Sequence, residues 1–200
     1  MILYPVIIVC AFNLIAFLNG YFSDLGLGTS YVYSAIALVC AVATDAVIAL
    51  LVRRIPEEKI NPFSPIFLCG NREKKFYKAI HVRSWKDYIP ETGKYLCHFA
   101  KDEIADPTNN TYIIRFLRET CYASIMHIIS IFAGFIVMIF LPITMTITLP
   151  VMLVNAVLQF LPVCVQRYNR PRLIMLYKRN EKLYGDKSDK EICPNAVSNG

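Results

Sequence analysis

Charge is scarce in this sequence. Asp, Glu, Lys and Arg make up 18% of its 200 residues, against about 25% in an ordinary soluble domain. The shortage is patchy. Ile2 to Leu18 has no charged residue over 17 positions, and Tyr31 to Val52 has one, Asp45, over 22. Ala123 to Val165 has no Asp, Glu, Lys or Arg over 43 positions. Such clustering excludes a merely large soluble core and points to a bilayer, which needs roughly 20 apolar residues per crossing.

Other absences narrow the chemistry. Seven cysteines lie scattered, an odd number with no C-x-x-C among them, so neither a disulfide framework nor a redox pair is expected. Cys69, His81, Cys97 and His98 lack zinc-finger spacing, and no metal site is expected. There is no P-loop, dinucleotide fingerprint, G-x-S-x-G elbow or H-E-x-x-H. The H-x-x-x-x-D arrangement is missing too: no acid closely follows His127, and His81 precedes Asp87 at the wrong spacing. No internal repeat or low-complexity tract occurs. The first apolar run lacks a basic flank, and NGYFSDLG after it offers no A-x-A-like cleavage site. That run is expected to stay as an anchor.

What remains predicts an all-α integral membrane protein with about four transmembrane helices. The spans are expected at about 2–18, 31–52, 120–141 and 146–165. At about 1.5 Å per residue, the long uncharged run crosses a core of about 30 Å twice. Pro142 and Pro150 bracket ITMTITL, whose alternation imitates a strand. A lone strand leaves its backbone unpaired in lipid, so an outer turn is expected there, with Pro150 in the first turn of the last span. Residues 1–175 form one membrane domain, and 176–200 a partly disordered tail.

All 21 Lys and Arg fall between Arg53 and Arg118 or between Arg167 and Lys190. By the positive-inside rule, the 53–118 loop and the C-terminus are expected to be cytoplasmic in a multi-pass cell-membrane protein. Between Lys74 and Tyr95 the bases alternate with aromatic rings, the pattern of a segment lying at the headgroup level. Pro90 and Gly93 break it. The expected partners are membrane lipids rather than nucleic acid. The Asn109-Asn110-Thr111 sequon carries no meaning on the cytoplasmic side.

Reactive groups cluster where charge gives way to apolar sequence. In RETCYASIMH, residues 118–127, Thr120, Ser124 and His127 share a helix face. Glu119 lies about 12 Å of rise away from His127, too far for contact on one straight helix. An ionisable group inside a span tends to be functional, and imidazole serves as a general base near neutral pH. A neutral His bonded to a neighbouring helix is the alternative. Asp45 is expected to make an interhelical polar contact, with a tail Arg or with His127. In QRYNRPRL, residues 166–173, three Arg fall within six positions, with Gln166, Tyr168 and Asn169 between them. Guanidinium groups bind phosphate or carboxylate through paired hydrogen bonds. In SWKDYIPETG, Lys86 and Asp87 adjoin the single Trp.

Three strings, WKDYIPETGKYL at 85–96, RETCYASIMH at 118–127 and LPVCVQRYNRPRL at 161–173, together resemble the glycosyl-4,4′-diaponeurosporenoate acyltransferase family over roughly residues 30–175. The resemblance implies a membrane enzyme of staphyloxanthin-type carotenoid biosynthesis. It would esterify a sugar hydroxyl of a glycosyl carotenoid or similar glycolipid with a fatty acyl chain. The matching positions are Trp85, Lys86, Asp87, Pro90, Glu119, His127, Gln166, Arg167, Tyr168, Asn169, Arg170, Pro171 and Arg172. The family pattern has Arg and Glu where this chain has Tyr122 and Ser124, and a Glu at 124 would lie one turn from His127.

The expected mechanism uses no bound cofactor, and the acyl donor is a coenzyme A or carrier-protein thioester. His127 is the base, with Glu119 or Asp87 orienting it or the sugar. Arg167, Arg170 and Arg172 hold donor phosphates, and Asn169 or Lys86 steadies the oxyanion. Trp85, Ser124, Gln166 and Tyr168 complete the substrate site. The competing expectation is a non-enzymatic scaffold or a lipid-binding subunit of a larger complex.

Overall fold

The computed structural model describes residues 3–89 and 106–191, with side chains from 4 to 89 and 106 to 183. The break expected at Pro90 and Gly93, the Cys97-His98 pair and the end of the tail lie outside the described residues. Four helices carry the fold: α1 (Leu3–Phe22), α2 (Leu27–Arg53), α5 (Asn110–Phe140) and α6 (Met145–Glu191). Among the described residues, two short α-helices, α3 (Asn71–Ala79) and α4 (Val82–Trp85), lie between α2 and α5. Each of the four long helices is long and apolar enough to cross a membrane, and no strand occurs among the described residues. The chain is an all-α integral membrane protein.

Short turns make successive long helices antiparallel neighbours. Residues 23–26 join α1 to α2, and 141–144 join α5 to α6. At the first turn Gly26 takes φ 71°, a backbone that side chains disfavour. A Cβ on Gly20 would lie 2.7 Å from the Leu27 Cα, so a glycine there lets the returning helix close in. Both turns lie at one end of the bundle, and Arg53, α3, α4 and the start of α5 lie at the other. Every Lys and Arg among the described residues belongs to that second end, called the basic end below.

Packing follows residue size. Ser30, Ser34, Ala37 and Ala41 form a buried small-residue stripe on α2, which allows the close backbone approach typical of helices in lipid. Ala37 and Ala41 join Ile15, Met138, Ile147, Val151 and Met152 in a core near the turn end. Nearer the basic end, Ile48, Val52, Cys121 and Tyr122 pack with Ile60. Val39, Phe132, Ile136, Phe140 and Leu153 are exposed, as expected of side chains meeting acyl tails.

α6 departs most from expectation. It runs unbroken for 47 residues through Pro150, Pro162 and Pro171, roughly 70 Å at helical rise. The QRYNRPRL string is therefore helical rather than a separate piece after the span. Pro150 is the sixth residue of α6, not part of its first turn. Proline has no N–H, so each one releases the carbonyl four residues earlier. An unmet carbonyl in hydrocarbon costs several kcal/mol. Two of these carbonyls are met from α1: Asn19 Nδ2 donates to Thr146 O at 3.1 Å, and the Tyr4 hydroxyl donates to Leu158 O at 3.1 Å. These are the carbonyls that Pro150 and Pro162 release.

Beyond the spans, α5 and α6 continue side by side. Asn109 caps α5 by accepting from the Thr111 and Tyr112 amides. Ile113, Phe116, Leu117 and Leu173 pack with Phe63 and Tyr177. Buried Asn180 donates to Pro107 O at 2.7 Å, fastening the tail helix to the turn before α5.

Candidate active site

Three polar residues meet at one depth. Asp45, His127 and Gln159 each lie eight residues from a charged residue at the basic end, namely Arg53, Glu119 and Arg167. That is about 12 Å of helical rise. Gln159 bridges the other two: its Nε2 donates to Asp45 Oδ2, and its Oε1 faces His127 Nδ1. A carboxylate only accepts, so Gln159 turns its NH₂ to Asp45 and its oxygen to the ring. His127 then carries its proton on Nδ1, and Nε2 holds the ring's lone pair. Ser130 and Asn155 lie about one turn further in, on α5 and α6.

This group opens on a cavity of about 370 Å³ among α1, α2, α5 and α6. The cavity is within the size range of small-molecule sites. Its wall is mainly apolar, with Tyr4 and Pro162 towards the basic end and Ile15, Leu38 and Val151 towards the turn end. Asp45, His127, Ser130, Asn155 and Gln159 supply a polar face on one side. Asp45 Oδ1 and Ser130 Oγ are buried without a hydrogen bond of good geometry, and the Ser130 and Asn155 side chains lie beside the Asp45 carboxyl. A basic imidazole beside an apolar slot, with an amide and a hydroxyl nearby, can take a proton from a hydroxyl and steady a developing oxyanion.

The other residues singled out in the sequence fall into separate groups. Glu119 is buried and forms a paired ion bridge with Arg53, at 2.9 and 2.7 Å. The Arg53 guanidinium also covers the Tyr122 ring, and the Tyr122 hydroxyl donates to Ile55 O. Glu119 thus clasps α2 to α5 at the basic end and does not reach His127. Ser124 does not turn to His127 either. Its hydroxyl donates to Thr120 O and accepts from Arg170.

Arg170 is fully buried. It donates to Phe67 O at 2.9 Å, Thr120 O at 2.8 Å, Thr120 Oγ1 at 3.2 Å and Ser124 Oγ at 3.0 Å. Its planar fork ties α5, α6 and the 65–68 segment together. Arg167 pairs with Glu73 and donates to Ile66 O and Leu68 O. Burial opposes the charge on Glu73, but hydrogen bonds from Arg167 and Tyr77 and the Arg167 charge outweigh it, holding the carboxyl down at about 2. Burial and the Glu73 carboxylate push the Tyr77 hydroxyl up. Both Arg thus meet intramolecular acceptors, whereas Arg172 is exposed and lies against Tyr168.

His81, in the left-handed region at φ 51°, turns α4 back onto α6. Trp85 and Tyr168 then pack on one cluster of Tyr77, Val82, Cys164 and Val165. The Trp85 indole donates to Ile80 O. The Trp-Lys-Asp string and the Arg-rich string therefore share the basic end. Lys86 pairs with exposed Asp87 at 3.1 Å, outside the cavity wall. Gln166 and Asn169 are half-buried on α6.

The sequence singles out His127 and offers a tail Arg or His127 as the partner of Asp45, but it does not point to Gln159, Asn155 or Ser130. The common eight-residue offset was the signal that would have added Gln159.

Fold and site together define a four-span membrane protein with an imidazole–amide–carboxylate group over an apolar cavity. A family model described as glycosyl-4,4′-diaponeurosporenoate acyltransferase matches residues 60–179. The chain belongs to that family of acyltransferases. The match includes His127 and Gln159, while Asp45 and all of α1 precede it. No curated protein and no solved structure matches the chain.

Proposed function

We propose that the protein transfers a fatty acyl group from a thioester donor, acyl-CoA or an acyl carrier protein, to a sugar hydroxyl of a lipid-linked glycoside. A glycosyl carotenoid is the acceptor class that the family suggests. The observation carrying this reading is Gln159 held between Asp45 and His127 at the cavity wall. His127 Nε2 takes the hydroxyl proton, and the oxygen attacks the acyl carbonyl carbon. The oxyanion is steadied by the Asn155 amide. As it collapses, the C–S bond breaks, and the thiol leaves with the proton from the imidazolium. Asp45 and Gln159 act through His127 as positioning residues.

The depth of His127 favours a donor with a slender arm. A reacting carbon about 12 Å below the charged layer suits a thioester whose phosphates stay at the basic end. Arg172, exposed on α6, is the best-placed of the three Arg anticipated as phosphate ligands. Arg167 and Arg170 instead hold the scaffold, and Glu119 clasps two helices. The positive-inside rule puts the basic end on the cytoplasmic side, where such thioesters are made.

Purified protein given palmitoyl-CoA or palmitoyl carrier protein and a glucosylated lipid is expected to form an acylated glycolipid. His127→Ala should lower the yield by roughly 10²–10⁴-fold without loss of membrane insertion. Wild-type turnover in that variant removes His127 as the base. No ester from the wild type with either thioester defeats the reading.

A further inference from the structure

The cavity extends well past the reacting group. From Gln159 to Val151 along α6 is eight residues, about 12 Å towards the turn end. The polar lining reaches about one turn past His127, to Ser130 and Asn155, and beyond them the inner stretch is apolar: Ala11, Phe12, Ile15, Leu38 and Val151. The inner end is stopped by packed side chains, because Ile15, Ala41 and Val151 both line the cavity and belong to the buried core with Met138, Ile147 and Met152. A bare proton-transfer site would not need this blind apolar slot.

We propose that the slot holds the acyl chain of the donor, with its carbonyl beside His127 and its methyl end against Ala11, Ile15 and Val151. These three residues set the longest chain accepted. The assignment rests on the thioester reading above. A linear chain is the occupant that fits: it is flexible and wholly apolar beyond one polar end. A rigid polyene cannot bend to fill a cavity of about 370 Å³, whereas a flexible acyl chain can. The carotenoid or other lipid part of the acceptor therefore stays in the bilayer beside the bundle. Only its sugar approaches His127.

Two measurements decide the matter. The first is competition among saturated acyl-CoAs of graded length, read by mass spectrometry of the ester products. Val151→Ala and Ile15→Ala are expected to move the preferred length up, and Ala11→Leu to move it down. Each methylene beyond the limit should cost roughly tenfold in the product ratio. Unchanged length profiles in all three variants overturn the proposal.

The second measurement needs no turnover, so it separates failure of the slot from failure of the enzymatic reading. Decanoyl-CoA and palmitoyl-CoA, each with a diazirine at its methyl end, are photolysed on the full chain in nanodiscs, and labelled peptides are mapped. Saturable labelling around Ala11–Ile15 or Val151, displaced by unlabelled palmitoyl-CoA, upholds the slot even if no ester forms. Labelling confined to lipid-facing residues such as Phe132 or Phe140, or labelling that excess palmitoyl-CoA does not displace, defeats it.

Discussion

Gln159 decides what His127 can do. The amide reads the carboxylate on one side and the ring on the other, so its loss should change the tautomer rather than the binding of substrate. Gln159→Leu is expected to lower kcat by about 10²-fold while KM for the acyl donor holds, and to alter the acidic limb of the pH profile. A pure KM effect would show that Gln159 contacts substrate instead. Glu73 gives a second test at this scale. Its folded pKa of about 2 lies below the ordinary 4.5. Its stabilising contribution is therefore complete above about pH 4.5 and lost as pH falls towards 2. Trp85, the single Trp of the chain, packs on the same cluster as Tyr77 and reports that docking. Its fluorescence should change across this window in the wild type, and the step should vanish in Glu73→Gln. His127 was legible in the sequence because an ionisable residue stands out in an uncharged run. Gln159 was not, because a neutral amide in a span carries no such mark. Arg170 was legible as a strong donor, but residue type does not distinguish a ligand phosphate from the carbonyls of Phe67 and Thr120.

Helices show the same division. All four spans could be read from missing charge, since backbone in lipid must pair within its own helix. The unbroken course of α6 could not, because Pro150, Pro162 and Pro171 locally argue for breaks. What permits the helix is remote: Tyr4 lies 154 positions from Leu158. A double-mutant cycle tests this account. Tyr4→Phe should destabilise the detergent-solubilised protein by about 0.6–1.7 kcal/mol. In a Pro162→Ala background the Leu158 carbonyl regains a helical donor, so the same change should cost less. Equal cost in both backgrounds would mean that the Tyr4 hydroxyl serves something other than the released carbonyl. Because α1 also walls the cavity, its seating on α6 ties the fold to the site.

For the whole molecule the governing feature is the one-sided placement of cationic charge. Orientation in the membrane follows from it and is checked with single cysteines in a cysteine-free chain. On intact cells, an impermeant maleimide should label a cysteine at Ser23, and should label one at Lys182 only after the membrane is opened. The reverse pattern would invert the proposed sidedness and separate the basic end from a cytoplasmic thioester pool. The two connecting turns, residues 23–26 and 141–144, contain between them a single ionisable side chain, Asp24. Under the proposed sidedness, neither the leading pair of spans nor the trailing pair would drag a cation through hydrocarbon during biogenesis, and each could enter the bilayer as a preformed hairpin with the positively charged remainder kept on the side of synthesis.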